Sequence, residues 1–111
     1  MVREIKTISD FKKTIIESNT DNLIIVDFFA DWCGPCKTIS PHIEKLSENY
    51  PNIQFYKINV ETVDLEKICT ACKINSLPTF CYFHKGEYLY ETIGANIVEI
   101  ENKIQHFIKK N

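Results

Sequence analysis

The chain has no apolar run approaching the ~18 residues of a membrane span. It also lacks the basic-then-apolar opening of a secretory signal, beginning Met1-Val2-Arg3-Glu4-Ile5. No membrane contact and no export are therefore expected. Arginine is almost missing: Arg3 is the only guanidinium among 13 basic residues, and the formal net charge is -2. A near-neutral, lysine-dominated chain offers neither the basic field nor the bidentate phosphate-reading surface of a nucleic-acid binder. Cysteine is too sparse for a disulfide scaffold, and an odd count of 5 leaves at least one thiol unpaired. A reducing compartment, the cytoplasm, is the expectation. No linker, internal repeat or charge block interrupts the chain. What is present is ordinary globular usage, 44% hydrophobic and 25% charged residues. Area scaling at 13.0 kDa predicts roughly 6,300 Å² exposed when folded against about 19,000 Å² unfolded. One domain over residues 1–111, a monomer with one self-sufficient core, is predicted.

Strand-like and helix-like segments alternate along this length. Val2 to Lys6 reads as a short edge strand. Ser9 offers an N-cap, with Asp10 in the first turn and Phe11 and Ile15 on one helical face to about Ser18. Leu23 to Ala30 is a continuous β-branched and aromatic run broken only by Asp27, the pattern of a central strand buried on both faces. Pro35 to Tyr50 places Ile39, Ile43, Leu46 and Tyr50 on one stripe, with Pro41 inside as a predicted kink. Ile53 to Val60 is a third strand containing Lys57. Thr62 and Asp64 suit the start of a helix carrying Leu65, Ile68 and Cys72 on one face. Thr79 to Phe83 and Tyr88 to Ile93 flank His84-Lys85-Gly86-Glu87, a hairpin signal. Asn96 and Glu99 open a last helix whose Ile97, Ile100, Ile104, Phe107 and Ile108 face inward, with Lys109 and Lys110 at its negative end. The order βαβαβαββα predicts an α/β fold with a mixed sheet covered on both faces.

Trp32-Cys33-Gly34-Pro35-Cys36 falls where the central strand ends and the second helix begins. Two cysteines three apart on a first helical turn project to one side and can be bridged or opened with little backbone movement. Cys33 lies in the cap region, where free N–H groups and the helix dipole favour a thiolate, and Pro35 suits a turn whose N–H has no helical partner. Cys36 lies one turn inside. An exposed nucleophile and a buried resolving thiol are predicted. Lowering a thiol pKa from about 8.5 to about 7 raises its thiolate fraction at neutral pH roughly 15-fold. A Brønsted slope of ~0.45 removes about 5-fold of that in intrinsic nucleophilicity. The net gain is about threefold, so docking and in-line geometry must supply most of any rate advantage, which points to a peptide-binding surface around Cys33. The competing readings are two structural thiols or half of a zinc site completed by Cys69 and Cys72, although 32 residues separate the two pairs.

The chain resembles the thioredoxin family along essentially its full length. The signature Trp32-Cys33-Gly34-Pro35-Cys36 is joined by Val26-Asp27-Phe28, Lys37, Pro41, Leu77-Pro78-Thr79 and Gly94-Ala95. The resemblance implies a thioredoxin fold, a central five-stranded mixed sheet flanked by four helices. It implies a redox-active disulfide between Cys33 and Cys36, dithiol-disulfide exchange that reduces disulfides in other proteins, and a place in electron transport and cell redox homeostasis. Asp27, an acid in a buried strand, takes the role of proton acceptor for Cys36, with Lys57 close by; the alternative is a buried structural ion pair. Trp32, Gly34, Pro35, Lys57 and Pro78 support the site. The resemblance implies a cis Leu77-Pro78 bond facing it, and an apolar substrate-binding rim of Trp32, Val60, Leu77, Pro78, Ile93, Gly94 and Ala95. It further implies no bound cofactor or metal, and electrons from NADPH through a flavoprotein thioredoxin reductase. The implied targets are proteins such as peroxiredoxins, ribonucleotide reductase or methionine sulfoxide reductase.

Some residues depart from the family pattern. Phe29 replaces a tryptophan common in bacterial members, and Asn75-Ser76 precedes Leu77-Pro78 where charged, Gly or Cys residues are often found. His42 follows Pro41 and reads as a surface or satisfied histidine, or as a pH-responsive one; His84 and His106 read as ordinary surface residues. Cys69 and Cys72 repeat the CxxC spacing without Gly-Pro or a cap, so they read as inert thiols, a regulatory oxidation site or metal ligands. Cys81 reads as a small core residue. The rival enzyme reading, an oxidase or isomerase domain, carries His where Pro35 stands. The rival binding reading is a non-catalytic adaptor that uses the same apolar rim.

Overall fold

The computed structural model describes residues 1–109. The elements are β1 (Val2–Glu4), α1 (Ile8–Phe11) continuing as a π-helical turn (Lys12–Ile16), β2 (Ile24–Phe29), α2 (Gly34–Asn49), β3 (Gln54–Asn59), a 3₁₀ turn (Val63–Leu65), α3 (Glu66–Ala71), β4 (Thr79–His84), β5 (Glu87–Ile93) and α4 (Ile97–Lys109). They form one five-stranded mixed sheet of order β1-β3-β2-β4-β5 with four helices. β2 is central, parallel to β3 and antiparallel to β4; β1 pairs parallel with β3, and β4 pairs antiparallel with β5. The accessible surface, 6446 Å², is close to the value expected for this mass.

Alternation along β2 divides the core. Ile25 points to one face with Ile39, Ile43 and Leu46 of α2 and Ile100 and Ile104 of α4. Ile24, Val26 and Phe28 point to the other, with Phe11 and Ile15 of the first helical segment and Leu65 beside α3. Period two puts Asp27 on the same face as Ile25, under α2.

Several boundaries differ from the sequence-based expectation. The N-cap of α1 is Thr7, whose extended backbone lets Oγ1 accept from the Asp10 N–H at 3.0 Å, and Ser9 is already helical. Asp64 does not serve only its own turn: its Oδ2 accepts from the Ile8 N–H at 3.0 Å, capping α1 from across the fold. Thr62 occupies a cap position without a side-chain cap bond. α2 holds Pro41 inside its span, where the sequence places it. The hairpin turn is the two residues Lys85 and Gly86, both at positive φ, 51° and 81°. This is the primed geometry that matches the twist of the strands. A Cβ on Gly86 would lie 2.5 Å from the Ile16 carbonyl oxygen, so this glycine is required by space as well as by backbone angle. Asn96 Oδ1 accepts from the Glu99 N–H at 3.0 Å, as its spacing predicts. Ile108 is 38% exposed rather than inward, because it stands about 80° around the helix from Ile100, at the margin of the stripe. Lys110 lies outside the described residues.

The end of α3 sets the wall of the site. Cys72 is the C-cap and Lys73 follows at φ 56°. The Lys73 N–H donates to Thr70 O and the Ile74 N–H to Cys69 O, both at 3.0 Å. This pair of bonds is a Schellman ending with a lysine in the place glycine usually takes. It reverses the chain and delivers residues 74–78 to the tip of β2.

Candidate active site

The end of the central strand and the start of α2 hold the two reactive sulfurs. Cys33 is the N-cap of α2, extended at φ -83° and ψ 109°, and the Cys36 N–H donates to Cys33 Sγ at 3.2 Å. The sulfur thus takes one of the N–H groups that a helix start leaves without a carbonyl partner. Gly34 and Pro35 fill the first two helical positions, where proline sacrifices no helical bond. Cys33 and Cys36 are joined as a disulfide with Cα atoms 5.3 Å apart. Their local cluster includes Ala30, with Phe29, Val60 and Leu77 packed against it.

The predicted contrast between an exposed and a buried sulfur takes a different form. Cys33 is 4% exposed and Cys36 5%, because Val60 and Leu77 cover the bonded pair. The asymmetry lies in what each residue faces. Cys33 borders an open groove of about 420 Å³ together with Trp32, Gly34, Pro35, Val60 and Leu77. Cys36 borders a smaller cavity of about 130 Å³ with Asp27, Lys57, Lys37, Ser40 and Asp31. An incoming disulfide and a departing proton are thereby given separate sides of one bond.

Asp27 is buried, and its Oδ1 has no hydrogen-bond partner among the described residues. Burial pushes its carboxyl up to about 7, and the positive charge of Lys57 offsets only part of that. The two residues are register partners across β2 and β3, yet the ion pairs found among the described residues are Arg3–Asp10 and Lys85–Asp21. The Lys57 ammonium instead stands 5.5 Å from the centroid of the Phe29 ring. An acid poised near neutrality beside Cys36 is able both to take and to return a proton at physiological pH.

The Leu77-Pro78 bond is cis. Trp32 is 68% exposed at the groove's edge, a large apolar surface left for a partner. Ile93, Gly94 and Ala95 do not line this groove. The Gly94 N–H donates to Pro78 O at 2.8 Å, so these three residues flank Pro78 from the β5 side, with Ile93 55% exposed. Sequence reasoning missed Cys69 and Ile74 as groove residues. The lysine at positive φ that turns the chain to Ile74 after α3 carries no compositional mark. It also missed Ser40 and Asp31 beside Asp27; Ser40, one helical turn after Cys36, was detectable by spacing. Among the described residues no group of three or more His, Cys, Asp and Glu side chains comes together as a metal-binding cluster. No helix among them is long and apolar enough to cross a membrane.

Comparison with known proteins gives the same picture. The thioredoxin family model matches residues 2–110. Thioredoxin-1 of Saccharomyces cerevisiae is 40% identical over 94% of this chain and 96% of its own length. The crystal structure of thioredoxin from Trypanosoma brucei brucei superimposes with a TM-score of 0.88 at 32% identity, covering 98% of this chain and 92% of that one. A chain from a structure on the thiol resolving mechanism in yeast mitochondrial 1-Cys peroxiredoxin via glutathione/thioredoxin systems has a TM-score of 0.84 at 30% identity, covering 95% and 94%. With a cysteine pair at disulfide distance on the first turn of α2, this chain belongs to the thioredoxin family and is a thiol-disulfide oxidoreductase.

Proposed function

We propose that the chain, acting as a single domain over residues 1–111, reduces disulfides in other proteins. The carrying observation is that Cys33 borders an open apolar groove while Cys36 shares a separate, smaller cavity with Asp27. In the reduced protein, Cys33 attacks one sulfur of a target disulfide bound against Trp32, Val60 and Leu77. The other target sulfur leaves as a thiolate and a mixed disulfide forms. The Cys36 thiol gives its proton to Asp27 and attacks Cys33, which releases the reduced target and closes Cys33-Cys36. The N–H groups at the start of α2 and the dipole behind them stabilise Cys33 as attacking and leaving thiolate. Gly34 and Pro35 hold the turn, Lys57 moderates the charge on Asp27, and Pro78 with Ile93, Gly94 and Ala95 extends the docking surface beyond the groove.

The next cycle requires two electrons, and family membership supports NADPH through a flavoprotein thioredoxin reductase as their source, with no cofactor held by this chain. Peroxiredoxins, ribonucleotide reductase and methionine sulfoxide reductase are the target classes; the likeness to a chain from the peroxiredoxin work supports the first. The setting is the cytoplasm, the form a monomer, and the physiological role redox homeostasis. Reduction of insulin disulfides with dithiothreitol as electron donor tests the activity. Acceleration that Cys33→Ser abolishes is expected, and a rate equal to that of dithiothreitol alone would leave only a binding module.

A further inference from the structure

Charged residues make up 25% of the chain and fold mostly to the surface, so an open groove would ordinarily collect several. The groove beside Cys33 collects none: among the described residues no Asp, Glu, Lys, Arg or His lines it. Asp31 and Lys37, which flank the Trp32–Cys36 segment, border the Asp27 cavity instead. Glu61 directly follows Val60 and Lys73 directly precedes Ile74, and neither joins the lining. Cys69 is the other cysteine on the wall besides Cys33; burial pushes its thiol up, so it stands uncharged at neutral pH. Two kinds of surface remain. Trp32, Val60, Ile74 and Leu77 are apolar, whereas Asn75 and Ser76, both exposed, are neutral hydrogen-bonding residues. The Ser76 hydroxyl donates to Asn75 Oδ1 at 3.5 Å, which leaves the Asn75 amide N–H groups for a partner. The Ser76 carbonyl is already engaged by Thr79 Oγ1 at 2.6 Å.

We infer that Asn75, set in a charge-free wall, makes this groove select target disulfides carried on uncharged segments, with apolar side chains against Trp32, Val60, Ile74 and Leu77 and a neutral acceptor oxygen on the Asn75 amide. The inference rests on the proposed docking of target disulfides in this groove and names the class of segment that docks. A target carboxylate or ammonium seated here gives up hydration and meets no opposite charge, whereas a backbone carbonyl, or the oxygen of an amide or hydroxyl, exchanges water for the Asn75 N–H groups. Charged segments of either sign are thus rejected by an unpaired charge rather than by a clash. Because the discrimination is a desolvation cost at the contact and not a long-range field, added salt leaves it in place. The charge that the reduced site brings is the Cys33 thiolate, and a charged target feels that as it would any attacking thiolate.

The test uses the reduced full chain and three peptides with one internal disulfide each, identical except that the residues flanking the cysteines are Gln, Glu or Lys. Reactions are quenched with acid, and the reduced peptide is quantified by chromatography. Each second-order rate constant is divided by that of the same peptide with dithiothreitol, which removes the peptide's own reactivity and the effect of its charge on an attacking thiolate. The Glu and Lys peptides should each fall at least about fivefold below the Gln peptide, and the gap should persist in about 0.5 M salt. Asn75→Lys should close the gap between the Gln and Glu peptides and widen it for the Lys peptide; Asn75→Asp should do the reverse. Equal normalised rates for the three peptides would overturn the inference and leave the reductase reading intact. A gap that closes in salt would overturn it as well, since distant surface charges would then be its source, and so would ratios that neither Asn75 variant changes. No reduction of any peptide would overturn the reductase reading and the inference with it.

Discussion

Replacing Asp27 with asparagine should change how stability depends on pH, and by an amount the structure sets. The carboxyl is 7% exposed, so solvent screening removes little of the effect. Burial raises it from 3.8 to about 7, which penalises the charged form by about 4 kcal/mol. The unfolded chain releases this proton near its ordinary value while the folded chain keeps it to about 7, so the folded state binds the extra proton in between. Stability therefore falls as pH rises through that window and levels off above it. The same relation makes the change between pH 5 and pH 8 about 3 kcal/mol. The asparagine side chain keeps the volume of the aspartate and cannot ionise, so the variant's stability lacks this contribution while sharing every other titration. Urea unfolding of the two oxidised proteins is the assay; with Cys33-Cys36 closed, neither sulfur titrates. At an m-value of about 1.5 kcal/mol/M, the midpoint difference between wild type and Asp27→Asn should shift by roughly 2 M between pH 5 and pH 8 in the variant's favour. Midpoint differences that are equal at the two pH values would refute a carboxyl raised by burial, and with it the proton-acceptor role.

The remaining predictions concern backbone and groove. Lys73→Gly should stabilise the protein by about 1 kcal/mol in urea unfolding, because glycine enters the left-handed region without the Cβ penalty. Gly86→Ala should destabilise it by about 2 kcal/mol or more, since the added methyl meets the Ile16 carbonyl at 2.5 Å and its backbone angle is unfavourable as well; an unchanged midpoint would contradict the hairpin geometry. Trp32→Ala should change stability by no more than about 0.5 kcal/mol and raise KM for protein disulfides, while leaving reduction of a small aromatic disulfide nearly unchanged. Equal loss on both substrates would contradict a docking role.

Residues whose chemistry is local were readable from the sequence. The cysteine pair at the strand-helix junction, Asp27 inside an apolar run and the Asn96 cap each carry their signal in type and spacing, and the structure places each as expected. Contacts between distant segments were not readable. Nothing near Asp64 marks it as the cap of Ile8. The left-handed Lys73 was hidden because lysine seldom takes that conformation, and with it the route of Ile74 into the groove. The burial of Cys33 was missed for a related reason: helix position predicts exposure, whereas Val60 and Leu77, which arrive from other loops, remove it.

The central claim is that Cys33 attacks and Cys36 resolves, and trapping of the mixed disulfide tests it most directly. Reduced Cys33→Ser and Cys36→Ser variants are each mixed with a protein disulfide substrate, quenched with acid and analysed by mass spectrometry. The groove beside Cys33 and the smaller, separate cavity beside Cys36 predict that Cys36→Ser accumulates a substrate adduct through Cys33 and that Cys33→Ser forms none. Equal adduct formation by both variants, or an adduct through Cys36 alone, would contradict the account.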